Sequence, residues 1–125
     1  MCGVFFDQDE VSFEVNYDRI FIIAELGSAI GREDAFNRLL SANYLGAQTG
    51  FAFIGIDSTR QTFTLNRILD GDLTYKEFED SVTLFIKALR YWKEWLSLPQ
   101  EIAQDKPVEQ FNTVDQLDVM IMLRV

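Results

Sequence analysis

The chain has 125 residues, enough for one domain with a modest core, and its hydrophobic content of 48% is that of a folded rather than a disordered protein. Its net charge is -9 and its pI is about 4.3, so its surface repels phosphate backbones and anionic lipids. We therefore exclude nucleic acid and membrane surfaces as primary partners, whereas a basic or amphipathic polypeptide remains compatible with this charge.

The first third of the chain is patterned as β-strands. Residues 2–6 are apolar, and residues 11–17 alternate apolar and polar side chains with the period of two that is typical of a half-buried strand. Residues 20–26 form a nearly unbroken apolar run, which indicates a strand at the centre of a sheet. Because only short turns separate these three segments, we predict an antiparallel meander.

The middle of the chain combines one helix with two further strands. Residues 33–44 predict a helix that begins with two acidic residues and ends near Gly46. The apolar side chains of this helix fall on one face: Phe36, Leu39, Leu40 and Tyr44. Residues 51–56 and 62–68 are predicted as strands joined by a polar turn.

The clearest element is a long helix over residues 75–98. Thr74 and Glu77 form a capping box at its start, and Pro99 marks its end. Two adjacent apolar stripes run along it, one comprising Phe78, Val82, Phe85, Ile86, Leu89, Trp92 and Leu96, the other Leu84, Ala88, Tyr91 and Trp95. One stripe is enough to cover a small sheet, so the second indicates either a further partner or deep burial within the chain's own fold.

The segment after the long helix has a different composition. Residues 100–110 are polar and include Pro107, whereas residues 119–123 are apolar again. We therefore predict a domain over residues 1–99 and a tail over residues 100–125. The apolar end of such a tail would either add a strand to a sheet edge or cover a groove.

Residues that carry chemistry are scarce. The chain has no histidine and a single cysteine, Cys2, so we expect no catalytic residue, no metal site and no cofactor. The acidic residues 7–10 lack the spacing of a calcium loop and are predicted to form a hairpin turn. One cysteine and an N-terminus unlike a signal peptide favour a protein of the reducing cytoplasm.

Four short motifs carry a resemblance to a known family. They are the sequence FNRLLSANYL at residues 36–45, the glycine-flanked strand at residues 49–57, LTYKEF at residues 73–78 and WKEWL at residues 92–96. In this order, over about three quarters of the chain, they resemble the bacterial type III secretion chaperones of the Tir-chaperone class, the small class I chaperones.

The resemblance implies an α+β fold in which an antiparallel sheet of about five strands carries packed helices, the last of them long. It also implies a cytoplasmic bacterial homodimer that binds the N-terminal segment of a secreted effector and keeps it unfolded. Family members usually begin with an amphipathic helix, whereas this sequence starts almost at a strand. That helix is then truncated, absent or replaced by another segment, for which the apolar C-terminal tail is one candidate.

Two other functions remain open at this stage. The ending at residues 122–125 faintly resembles chaperones that regulate secretion genes by sequestering an anti-activator. The other alternative is a structural or adaptor dimer without a client. The protein that co-purifies from the native cell distinguishes these functions.

The resemblance and the apolar pattern together give two sets of candidate binding residues. For the dimer interface we predict Leu39, Leu45, Phe51 and Phe53, with burial in the chain's own core as the alternative for each. For client binding we predict Val4, Phe6, Val11 and Phe13. Alternation places Val11 and Phe13 on one face with Val15, and that face is either core or groove.

Overall fold

A computed structural model describes residues 2–98 as two layers, a five-stranded antiparallel sheet with helices on one face. The elements in chain order are β1 (Cys2–Phe6), β2 (Asp9–Asn16), β3 (Arg19–Ser28), α1 (Phe36–Ala42), β4 (Phe53–Asp57), β5 (Thr62–Asp70) and α2 (Tyr75–Ser97). The strand order is β1-β2-β3-β5-β4, so β1 and β4 are the two edges of the sheet. The α+β fold expected from the sequence is confirmed, whereas the predicted tail lies outside the described residues.

The central strands build the core because their apolar residues face the long helix. Ile22 on β3 and Leu65 on β5 are fully buried beneath α2. We call this side of the sheet the inner face and the opposite side the outer face. Each apolar side chain buried in this way contributes about 1.5–3 kcal/mol to folding.

The predicted first helix is shorter in the structure. A 3-10 turn, Glu33–Ala35, precedes α1, and a second 3-10 turn, Tyr44–Gly46, follows it. The helix cannot continue because Leu45 has a left-handed backbone with φ of 57°. The strand predicted to begin at residue 51 begins at Phe53 for the same reason, since φ of Phe51 is 66°.

The start of α2 confirms Thr74, the first residue of the predicted capping box, as the N-cap. The Thr74 hydroxyl accepts a hydrogen bond from the Glu77 backbone N–H at 3.2 Å, which satisfies one of the free donors of the first turn. At the other end, the Arg32 guanidinium donates to the Leu96 carbonyl oxygen at 2.8 Å. This contact fixes the end of the helix near the end of β3.

The second apolar stripe of α2 is buried within the fold, whereas the first is buried only from Phe85 onward, and Phe78 and Val82 remain half-buried. The second stripe, Leu84, Ala88, Tyr91 and Trp95, is at most 8% exposed. Gly50 approaches this stripe at Leu84: a Cβ added to Gly50 would lie 2.9 Å from the Leu84 carbonyl oxygen, so only glycine fits this approach. Deep burial therefore accounts for the second stripe, whereas the first stripe leaves Phe78 and Val82 partly accessible.

Neither helix of the described region is long and apolar enough to span a bilayer.

Candidate protein-binding surfaces

The first candidate site surrounds the free edge of β4. Large apolar side chains are exposed there. A protein that docked on this edge would bury them and remove them from solvent. We call this set the β4-edge surface: Leu40, Tyr44, Leu45, Phe51, Phe53 and Ile56. Leu45 and Tyr44 are the most exposed, at 78% and 76%.

Asn43 caps part of the β4 edge with its side-chain amide. Its Oδ1 accepts from the Ile54 N–H at 2.7 Å, and its Nδ2 donates to the Ile54 carbonyl oxygen at 3.0 Å. Alternation along an antiparallel strand directs the backbone groups of Ile56 to this same open side. The edge is therefore capped at one residue and accessible at the next alternate one.

An apolar groove of about 260 Å³ lies between α1 and β4. It is lined by Phe36, Leu39, Leu40, Ile54, Gly55, Ile56 and Phe63. Phe36 and Phe63 meet edge to face at 5.9 Å and form part of this lining. The groove is continuous with the β4-edge surface through Leu40 and Ile56, so an apolar side chain of a partner fits beside the strand edge.

Two residues of the β4-edge surface have a strained backbone. Leu45 and Phe51 both have positive φ, a conformation that bulky side chains rarely adopt and that costs of order 1–3 kcal/mol. The Phe51 N–H donates to the Gly46 carbonyl oxygen at 2.9 Å and closes the loop between them. Such strain presents both side chains outward, which is typical of a binding surface.

Arg67 supports this loop from β5. Its Nη1 donates to the Gly50 carbonyl oxygen at 2.5 Å, and its guanidinium lies 5.7 Å from the centre of the Phe51 ring. Burial lowers the pKa of the Arg67 guanidinium. A half-buried cation is thus held by a backbone carbonyl and an aromatic face, and it fixes the position of Phe51.

The same loop is bound to α2 through an aromatic contact. Trp92 Nε1 donates to the Gln48 carbonyl oxygen at 2.7 Å. Arg38 on α1 stacks over the Trp92 ring at 4.7 Å and donates to the Gln48 side chain at 2.9 Å. These contacts join α1, the loop and α2, so the β4-edge surface rests on a rigid base.

A second apolar surface lies on the inner face between β1, β2 and the first half of α2. We call it the β1 groove and define it by Val4, Phe13, Val15, Phe78 and Val82. Phe13 and Phe78 approach with ring centres 6.2 Å apart, yet both remain half-buried, and Val15 is 73% exposed. The long helix therefore covers the centre of the sheet but leaves its β1 side open.

Ion pairs close one end of the β1 groove. Asp9 accepts from Lys93 Nζ at 2.8 Å and from Arg90 Nε at 3.0 Å, while Arg90 also pairs with Asp7 at 2.9 Å. Burial opposes the ionisation of Asp9, but the hydrogen bonds from Lys93 and Arg90 outweigh it and lower the pKa of its carboxyl. The turn predicted over residues 7–10 is shorter, since Asp9 already belongs to β2, and these ion pairs anchor it to α2.

The structure separates the predicted site residues into exposed and buried ones. Leu45, Phe51 and Phe53 lie together on the β4-edge surface, but Leu39 is 2% exposed and belongs to the core. The prediction that Leu39 lies in the dimer interface is therefore corrected, since Leu39 is a core residue. Its neighbour Leu40, which the sequence placed on the same face, points to solvent instead.

The predicted client-binding residues divide in the same way. Val4, Phe6 and Phe13 are accessible at or near the β1 groove, whereas Val11 is fully buried between the sheet and α2. Val11 therefore cannot contact a client while the domain is folded, and we correct it to a core residue. The predicted interface omitted the exposed residues Leu40, Tyr44 and Ile56. The available signal was that Leu40 and Tyr44 belong to the apolar face of the predicted helix and Ile56 to the predicted strand at residues 51–56.

Residues 2–98 bring no three His, Cys, Asp or Glu side chains together in a geometry that would hold a metal ion. Their uncovered features are two apolar surfaces on a rigid two-layer domain. Fold and surfaces together define the class, a small α+β protein that binds other proteins.

The family model of the Tir chaperone protein (CesT) family matches residues 1–93, and the chain belongs to this family. Among solved structures it is similar to a chain in the ExsC-ExsE complex, with a TM-score of 0.61 and 20% identity over 74% of this chain and 73% of the other. It is also similar to a chain in the HopA1-SchA chaperone-effector complex, with a TM-score of 0.59 and 14% identity over 74% of each chain. No curated protein sequence matches the chain significantly.

The family membership confirms the resemblance drawn from the four sequence motifs. The protein is a type III secretion chaperone, a binding protein rather than an enzyme.

Proposed function

We propose that the protein acts in the bacterial cytoplasm as a homodimer that binds the N-terminal segment of a secreted effector and keeps it unfolded. The observation that supports this proposal best is the presence of two separate uncovered apolar surfaces on one acidic domain. A single surface could bind either a second copy of the chain or a client, whereas two surfaces can bind a second copy and a client at the same time. We assign residues 1–99 to the chaperone domain.

The β4-edge surface is the proposed dimer interface. Leu45, Phe51 and Phe53 are exposed here although the chain folds with strain at two of these residues. Contact with a second copy would bury these side chains and offset that cost. The groove of about 260 Å³ beside Leu40 offers space for an apolar side chain of the partner copy.

The β1 edge and the β1 groove are the proposed client site. An extended segment can add a strand to β1 through backbone hydrogen bonds while its alternate side chains enter the groove beside Val4 and Phe13. This mode requires no chemical step, because a client is held unfolded when its extended form binds more tightly than its folded form.

Light scattering tests the dimer. We expect the full chain at micromolar concentration to have twice the 14.4 kDa mass of one chain, and Leu45→Asp to reduce it to the monomer mass. Leu45 is 78% exposed in the single chain, so this variant can fold. The matched control is Ile30→Asp, which is 69% exposed elsewhere on the surface and should remain dimeric. A monomeric wild-type chain would contradict the proposal.

Mass spectrometry of proteins that co-purify from the native cell tests the client. We expect a secreted effector, whose N-terminal segment then binds the pure chain. Val4→Asp should weaken this binding, while Phe5→Asp, on the outer face of the same strand, should not. Recovery of a regulator of secretion genes would favour the anti-activator alternative, and recovery of no partner would favour the adaptor.

A further inference from the structure

The β1 groove is an apolar surface without a cover in the described domain. Cys2 lies directly opposite Phe13 in the β1–β2 pair, and residues opposite each other in a sheet point to the same face. Cys2 is nevertheless exposed, as is Val15 two residues along from Phe13. The inner face is therefore open from Cys2 to Val15, beside the half-buried Phe78 and Val82 of α2.

The chain itself contains an apolar segment that is not part of the described domain. Residues 111–125 include Phe111, Val114, Leu117, Ile121 and Val125, spaced three or four residues apart. That spacing places apolar side chains on one side of a segment if it is helical. We propose that residues 111–125 occupy the β1 groove when no client is bound.

The position at which α2 ends allows this placement. The helix has 23 residues and is about 35 Å long, and the contact of Arg32 with Leu96 fixes its end beside β3. Residues 99–110 can span about 40 Å when extended, which is enough to return along the whole helix. Every part of the β1 groove is within reach of Phe111 and the residues after it.

Occupation of the groove by the chain's own end would make that segment a competitor of the client. This part of the inference rests on the proposed function, since it assumes that a client binds the same groove. The occupancy of the groove in the free protein does not depend on it, and can be tested in the absence of any partner.

The native Cys2 supplies the probe, because it is the chain's only cysteine and lies at the groove. In the full-length Ile121→Cys variant, a short bismaleimide should link the two thiols within one chain. Adding Val4→Glu, which places a charge in the groove, should reduce this linkage about tenfold. Adding Phe5→Glu, its neighbour on the opposite face of β1, should leave the linkage unchanged.

Equal linkage in the Val4→Glu and Phe5→Glu backgrounds would overturn the proposal. Linkage found only between two chains would also overturn it, because it would assign the groove to the second copy.

Alkylation of Cys2 gives a second measure that introduces no new cysteine. We expect it to be several-fold faster in full-length Ile121→Asp than in the wild type or in the connector control Gln104→Asp. An unchanged rate contradicts the proposal, and tighter effector binding by Ile121→Asp would establish the competition separately.

Discussion

Asn43 acts as a one-residue substitute for a neighbouring strand, since its side-chain amide bonds both backbone groups of Ile54 at 2.7 and 3.0 Å. An asparagine is suited to this position because it presents one donor and one acceptor in a single plane. The contact links the end of α1 to the edge strand, and it leaves only the remainder of β4 available to a partner.

Replacing Asn43 by Asp removes the donor and places a carboxylate opposite the Ile54 carbonyl oxygen. We expect Asn43→Asp to lower the free energy of unfolding by about 1–3 kcal/mol, the cost of leaving a buried acceptor unpaired. Urea denaturation followed by tryptophan fluorescence measures this change. Asn37→Asp, on the exposed side of the same helix, is the control and should change stability little. Equal effects of the two substitutions would mean that the Ile54 contact contributes nothing.

Leu45→Gly is expected to change the stability of the single domain and the strength of its self-association in opposite directions. Glycine adopts the φ of 57° without strain, so the isolated domain should gain up to about 1 kcal/mol of stability. The loss of an exposed leucine should at the same time weaken the proposed dimer. Denaturation at low protein concentration measures the first effect, and sedimentation across a concentration series measures the second. A variant that is less stable as a monomer would contradict the inferred strain.

The ion pairs of Asp9 predict a dependence of stability on pH. Because the folded pKa of Asp9 is lowered, its contribution is fully present above the unfolded pKa, near 4, and is lost as pH falls through the folded value. Asp9→Asn should therefore reduce stability at pH 7 and flatten the decline below pH 4. Asp7→Asn, at a side chain that is 85% exposed, should have a smaller effect at pH 7. Urea midpoints measured between pH 7 and pH 2 test both variants.

Trp92→Phe should loosen the loop that supports the β4-edge surface. The variant keeps an aromatic ring but loses the 2.7 Å hydrogen bond to the Gln48 carbonyl oxygen, at a cost of about 1–3 kcal/mol. Hydrogen exchange should accelerate at residues 48–52 more than in the central strands β3 and β5. Uniform acceleration across the domain would indicate a general packing defect instead of a local role.

The sequence predicted those elements that depend on local patterns. The N-cap at Thr74, the alternation in β2 and the apolar run of β3 each record a local preference that the fold retains. The patterns did not determine which apolar residues would remain exposed. Leu39 and Leu40 are adjacent and chemically identical, and only the packing of α1 against β4 decides that one is buried and the other is not.

The positive φ of Leu45 and Phe51 could not be predicted either, because bulky residues are rare in this conformation and the contacts that impose it come from elsewhere in the chain. Arg67 contacts Gly50 and Phe51, and Trp92 contacts Gln48, each from more than 15 residues away. Likewise, the wide apolar face of α2 gave no sign that Gly50 approaches Leu84 of its second stripe. Which side chains are exposed on the two surfaces depends on tertiary contacts, whereas the positions of the helices and strands follow local sequence patterns.

The strand order β1-β2-β3-β5-β4 has a consequence for binding stoichiometry. It places the two sheet edges four strand spacings apart, about 19 Å, so a second copy at β4 and a client at β1 do not meet within one subunit. If two sheets join edge to edge at β4, their β1 edges lie about 43 Å apart. A client that docks on both subunits then needs about 13 extended residues between its docked parts. In the proposed dimer, clients with closer apolar motifs would bind two per dimer, and clients with wider spacing would bind one.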